Sequence, residues 1–333
     1  QHTGGMISLT AGYSTPTSSG QIVMQTVNAG TLGVSGHLRF SSGTASSGSS
    51  GAVTIETGAA TNGKGGNIEI SVGHGTHEKG GDIIINAGKS TQNTGGFISI
   101  DTGYSAPTSS GLIKMITPNA GVSGISGALS FTSGTTSNGG SGYIQIATGS
   151  ATNGEGGDIL VSIGKSKTDT GGDVVVTAGH SEPLTGGAIS IASGEGTTDT
   201  SGAIIVKTMN AGTTGVSGML SFTSGTTSSG TSGHFNLFTG SATNGKGGDM
   251  LMSIGSGTTY TGGDIVMTAG LSTAASTGTG GAISVSTGEG EPTSSGALIV
   301  RTLNAGISGV SGALRFTSGT TSNGGSGYIQ IAT

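Results

Sequence analysis

Apolar residues along the chain alternate with small or polar residues in short stretches that return about every 15 residues. Twenty-two stretches match the pattern [GS]G-x-Φ-x-Φ-x-small-G, where Φ is an apolar residue. The first of these 22 stretches begins at residue 4 and the last at residue 326. The second position is Gly, and the fourth and sixth positions are apolar, in all 22. Each stretch, together with the residues before the next one, is called a unit below, and positions are counted from its first residue.

Apolar residues at positions 4 and 6, such as Ile7 with Leu9 or Ile159 with Val161, have the period of two that is typical of a strand. Each unit is therefore predicted to hold one strand of about six residues, followed by a turn rich in Gly, Asn and Ser. Because one strand cannot bury its apolar face alone, repeated strands are expected to stack on their neighbours. The sequence predicts an all-β fold, a β-solenoid with positions 4 and 6 facing one core, and leaves open whether a coil holds one, two or three units.

A longer period is superimposed on the units. The tripeptide NAG occurs at Asn86 and also, at intervals of 91, 91 and 94 residues, at Asn28, Asn119, Asn210 and Asn304. Each of these last four copies lies in a unit of 16 residues, and the first three of them are followed by five units that have 15 residues except for one with the longer turn "LSTAASTGT". The chain is interpreted as a single continuous array without separate domains, in six-unit superperiods of about 91 residues. Their bounds are 19–109, 110–200, 201–294 and, in part, 295–333.

Two sets of residues recur with the superperiod and are predicted to make packing contacts. The unit after each of the four 16-residue units has Phe at position 6, at Phe40, Phe131, Phe222 and Phe316. Position 5 is apolar at Ile84, Val175 and Val266. Isolated exposed apolar side chains are tolerated in proteins. The recurrence of apolar residues at one outward-facing position of the unit instead favours a contact with a further layer or subunit.

The composition excludes several classes of protein. Of 333 residues, 31% are hydrophobic and 8% are charged, against about 45–50% and about 25% in ordinary globular domains. The 71 glycines do not fall at every third residue, which excludes collagen. The 11 basic residues are scattered and the net charge is -5, so nucleic-acid binding is not expected. No apolar run is long enough to predict a membrane span, and the chain has no cysteine.

Aspartates are the main candidates for chemistry. Asp158 with Asp173, and Asp249 with Asp264, occupy position 3 of adjacent units. Calcium is the alternative for these four carboxylates, but a calcium cage needs about six to eight oxygens and the motif of calcium-binding β-rolls is not present. These aspartates and Asp82 are instead expected to accept hydrogen bonds from turn amides. No cofactor, metal site or catalytic constellation is predicted, so the chain is not expected to be an enzyme.

The repeated stretch "TGSATNGxGGDIxxSxGxxxxxTGGDIxxTAGxS" resembles the Gly/Ser/Thr-rich repeat proteins of diatom and algal cell surfaces. This resemblance implies an extracellular fibrous protein, such as a flagellar hair or a wall filament. The repeat length is also similar to that of the β-roll heads of trimeric adhesins, although their repeat motif is not matched.

The sequence therefore predicts a structural component of an extracellular filament or cell-surface fibre, with a surface adhesin or ice-binding protein as the alternative. Self-assembly is expected, lateral or end to end, and the chain is expected to be a window on a longer array. O-linked glycans are a further expectation at the hydroxyl-rich turns that contain Pro16, Pro107 and Pro292.

Overall fold

The computed structural model describes residues 4–15, 17–106, 108–258, 261–273, 278–291 and 293–332. Contacts among Cα atoms divide the chain into two parts, Gln1–Lys165 and Ser166–Thr333. The described residues contain no helix and no strand. The fold is therefore a succession of irregular segments, and its order lies in the repetition of the turns between them.

A bend of three residues, at positions 12 to 14, marks the turn of most units. Examples are residues 61–63, 91–93, 152–154 and 197–199. These bends fall in the Gly/Asn/Ser-rich segments that the sequence predicts as turns. The positions of the turns were thus predicted correctly.

A backbone hydrogen bond closes some of these turns. The amide of Gly187, at position 2 of its unit, donates to the carbonyl oxygen of Gly179, at position 9 of the unit before, across 2.9 Å. The same bond recurs at distances of 2.9 to 3.1 Å from Gly20 to Gly12, Gly96 to Gly88, Gly111 to Gly103, Gly202 to Gly194, Gly281 to Gly270 and Gly296 to Gly288. In other units the turn is closed by a side chain, since the Thr26 hydroxyl donates to the Gly36 carbonyl across 3.1 Å.

Glycine at position 2 permits a close approach of the preceding unit at some turns. A Cβ atom on Gly187 would lie 3.2 Å from the amide nitrogen of Gly179 and 3.5 Å from the Cβ of Ala178. A backbone atom cannot move aside as the end of a flexible side chain can, so a larger residue at this turn would displace the preceding unit slightly.

Positive φ occurs at a different position of the unit. It is found at position 14 of the units that carry the recurring Phe, at Gly48, Gly139, Gly230 and Gly324. These glycines are spaced 91, 91 and 94 residues apart. The superperiod read from the sequence is therefore also a period of the backbone conformation.

Replacement of Gly187 by Ala should open its turn. We expect the amide of residue 187 to exchange with solvent about fivefold faster, because a lost backbone hydrogen bond is worth about 1 kcal/mol. Amide exchange measured by NMR on uniformly labelled protein would show the change. Gly179→Ala is the matched control, since a Cβ at that residue would have no heavy atom within 4 Å. Equal exchange in both variants would contradict the close-approach explanation.

The prediction of an all-β solenoid is wrong, because the described residues form no strand. A strand requires a ladder of backbone hydrogen bonds to a neighbouring segment. In the described part of the chain, successive segments share at most the one bond that closes the turn, and no backbone hydrogen bond joins them farther from it. Apolar residues at i and i+2 thus determine on which side of the segment their side chains lie. They do not provide a second segment with which the backbone can form hydrogen bonds.

The predicted core is also absent among the described residues, none of which is buried. Ile68, Ile83 and Ile98, which the solenoid would have buried, are more than half exposed, at 53, 55 and 53%. The chain exposes 33551 Å², against about 12,000 Å² for a compact protein of this mass. Two apolar side chains in 15 residues provide too little burial to offset the conformational entropy of ordering a glycine-rich unit.

Candidate self-association surface

Side chains alternate in direction along each apolar segment. In the unit that begins at residue 156, Ile159, Leu160 and Val161 at positions 4, 5 and 6 are 55, 88 and 71% exposed. The middle residue is also the most exposed one in the segments 83–85, 174–176, 204–206, 250–252, 265–267 and 298–300. Positions 4 and 6 therefore share one side of the segment, and position 5 lies on the other. The apolar residues at positions 4 and 6 are called the apolar pair below.

Position 4 is the more covered member of the pair in 19 of the 22 units. Its exposure lies between 48% at Ile113 and 63% at Phe235 in every unit except the first, where Ile7 is 90% exposed. The chain thus presents the same half-covered apolar site about 20 times. Recurring exposed apolar side chains make this position a candidate interaction surface.

One contact between neighbouring units involves position 4. The rings of Phe222, at position 6, and Phe235, at position 4 of the next unit, have centroids 6.2 Å apart and planes tilted by 32°. At this turn, position 6 of one unit approaches position 4 of the following unit. An offset, tilted pair at this distance is a favourable arrangement of aromatic rings.

The recurring Phe residues remain well exposed despite this contact. Phe40, Phe131, Phe222 and Phe316 are between 59 and 67% exposed. The sequence analysis did not identify Phe235 as a contact residue. Its position could have indicated one, because Phe235 lies at position 4, where the equivalent units have Ile144 and Ile329.

The position-5 residues form a second exposed apolar set. Ile84, Val175 and Val266 are 75, 80 and 81% exposed. Within the chain they have no covering layer, so their predicted contact with another copy stays a prediction.

The aspartates at position 3 behave differently from the expectation at two sites. The ammonium group of Lys79 lies 3.0 Å from Oδ1 of Asp82, and that of Lys246 lies 2.8 Å from Oδ1 of Asp249. These carboxylates thus pair with a lysine three residues earlier instead of accepting turn amides. The spacing of the two residues was visible in the sequence. The amide acceptors are other aspartates, Asp169 and Asp199, whose Oδ1 atoms accept from the following amide.

The structure does not gather the remaining candidate ligands. Asp158, Asp173 and Asp264 are exposed, and no hydrogen bond from a turn amide reaches them within the described ranges. In the same part of the chain, no three His, Asp or Glu residues are grouped so that they could hold a metal ion. The pair His74 and His77 in one turn has the Thr76 hydroxyl as a neighbour, 3.1 Å from Nδ1 of His77.

One concavity in the described residues is formed locally. It is lined by four consecutive residues, Lys207, Thr208, Met209 and Asn210. A depression formed by one short stretch lacks the converging polar groups from several elements that define a ligand site. Pro16, Pro107 and Pro292, in the turns expected to carry glycans, and residues 274–277 of the longest turn lie outside the described residues.

Comparison with protein-family models, with curated proteins and with solved structures finds no match to this chain. The described residues include no helix of the length and apolarity needed to cross a membrane.

Proposed function

We propose that the protein is a structural component of an extracellular or cell-surface fibre, and that its copies assemble through their apolar pairs. The observation that carries this proposal is the uniform half-exposure of position 4 along the array. A side chain that is half covered by its own chain can bury its remaining surface against a second copy. Removal of apolar surface from water is the main driving force of such association.

Repetition makes this weak local contact effective. Burial of one aliphatic side chain contributes about 1.5 kcal/mol at the lower end of the usual range. One unit alone would therefore associate very weakly. Because the units are linked, the first contact between two copies raises the effective concentration of all the others, so association strengthens steeply with the number of units.

The composition suits a load-bearing or coating role outside the cell. Absence of cysteine makes the chain independent of disulfide formation and of thiol oxidation. The resemblance to algal surface repeat proteins is the source of the extracellular assignment.

Concentration-dependent assembly is the direct test. We expect purified protein to sediment as large particles above a critical concentration and to form fibres visible by negative-stain electron microscopy. Antibody labelling of intact source cells, compared with permeabilised cells, tests the location. A monodisperse species of 31.7 kDa at all concentrations up to the millimolar range would contradict assembly. Labelling only after permeabilisation would contradict the extracellular role.

A further inference from the structure

Five asparagines of this chain are followed directly by glycine, and all five occupy the same place in their units. Each asparagine is at position 13 and its glycine at position 14, within the bend that spans positions 12 to 14. The pairs are Asn62 with Gly63, Asn138 with Gly139, Asn153 with Gly154, Asn244 with Gly245 and Asn323 with Gly324. The other eight asparagines precede residues that have a side chain, so every Asn-Gly pair of the chain lies in a bend.

The chemistry of an Asn-Gly pair depends on whether the glycine amide can reach the asparagine side chain. When the amide nitrogen loses its proton and bonds to Cγ of the preceding asparagine, a five-membered succinimide ring forms, the bond from Cγ to Nδ2 breaks, and ammonia leaves with the proton. The ring closure is intramolecular, so its rate is set by how often the two atoms meet in the correct orientation. Glycine favours this meeting because it has no Cβ beside the nitrogen and because its backbone angles are the least restricted.

The structure leaves the reacting groups of these bends free to meet. All five asparagines are exposed. Within the described ranges, none of the five glycine amides donates a backbone hydrogen bond, whereas an amide such as that of Gly187 would first have to break one. The surroundings are open as well, since a Cβ atom on Gly63 or on Gly154 would meet no heavy atom within 4 Å.

We propose that these five bends are sites of spontaneous deamidation, at which asparagine is converted to aspartate and isoaspartate through a succinimide. Water opens the ring by adding to one of its two carbonyl carbons. Cleavage of the bond from nitrogen to Cγ gives aspartate. Cleavage of the bond from nitrogen to the main-chain carbonyl carbon gives isoaspartate, whose main chain runs through Cγ and is longer by a methylene group. No oxidant or reductant takes part, since water supplies the oxygen and ammonia is released.

Each conversion changes the charge and the path of one bend. Asparagine is neutral, whereas the carboxyl groups of aspartate and isoaspartate are ionised at neutral pH, so conversion of all five bends would change the net charge from -5 to -10. Greater net charge favours the dissolved state of a protein. The number of converted bends increases with the age of each molecule. This inference goes beyond the proposed function and holds whether or not copies of the chain assemble.

Mass spectrometry of peptides from purified protein, sampled during incubation in neutral buffer, tests the sites. We expect a mass gain of about 1 Da at each of the five asparagines, since ammonia is lost and water is gained. Fragmentation by electron transfer should identify isoaspartate besides aspartate, whereas direct hydrolysis of the side chain would give aspartate alone. Asn93 is the internal control, because it also lies in a bend but precedes the β-branched Thr94, and it should react about tenfold more slowly.

Two alanine variants of one turn test the mechanism. Gly63→Ala places a Cβ beside the attacking nitrogen, and we expect the conversion of Asn62 to slow about tenfold. Gly65→Ala is the matched control, since a Cβ at residue 65 of the same turn would also meet no heavy atom within 4 Å, and it should leave the rate at Asn62 unchanged. Neither glycine has a positive φ, so alanine fits both places. Asn153, in an identical TNG tripeptide, provides the reference rate within each variant.

The outcomes separate this inference from the proposed function. Conversion of the five asparagines no faster than that of Asn93 would overturn the inference, as would conversion to aspartate without isoaspartate. Equal slowing in Gly63→Ala and Gly65→Ala would show that the Gly63 amide is not the attacking group, which also overturns it. None of these results bears on assembly, which sedimentation measures separately.

Discussion

Replacement of two position-4 residues by serine should raise the critical concentration for assembly about 100-fold. Ile113→Ser with Leu129→Ser removes two apolar side chains that are 48 and 56% exposed and lie on either side of one turn. Each is expected to lose about 1.5 kcal/mol of burial in the assembly, and a total of about 3 kcal/mol corresponds to roughly a factor of 100. Sedimentation of the protein across a concentration series would measure the change.

The matched control for this variant lies in the turn between the two residues. Val122→Ser with Ile125→Ser also removes two apolar side chains, but these are 111 and 97% exposed and belong to no apolar pair. We expect this control to assemble at the concentration of the unchanged protein. If the two double variants behaved alike, general hydrophobicity and not the apolar pairs would drive the association.

Cooling should dissociate the assembly. Hydrophobic association weakens as temperature falls, because its driving force near room temperature is entropic. We expect the critical concentration to rise about tenfold between about 37 °C and about 4 °C and to fall again on addition of sulfate, which strengthens apolar burial. Turbidity and sedimentation at the two temperatures would check this.

Moderate NaCl tests whether charge contributes to the assembly. It should leave the total assembled fraction nearly unchanged, since apolar burial provides the affinity. An assembly that formed better in the cold, or that dissolved in moderate NaCl, would show that charge and not apolar burial holds it together.

The sequence alone determined the repeating features of this protein. Units, turns and the superperiod follow from the spacing of glycine and apolar residues, and the bends at residues 61–63 and 152–154 fall where that spacing predicts them. These are local properties, since φ, turn formation and the alternation of neighbouring side chains depend on residues close in the chain. The alternation of Ile159, Leu160 and Val161 between two sides is likewise local.

Only the tertiary structure decided whether the segments pair. Strand formation depends on a second segment at hydrogen-bonding distance, and the glycine-rich turns bring successive units together at one bond, as from Gly187 to Gly179, without extending the contact. The apolar pairs that predicted a core consequently remain half exposed, as Ile159 shows. Ion pairs such as Lys246 with Asp249 were open to sequence reasoning, since the two residues are three positions apart. The pattern of apolar residues determined which side chains form the exposed apolar surface of this chain. That surface stays exposed because the backbone segments share few hydrogen bonds and because the two apolar side chains of each unit cannot bury one another.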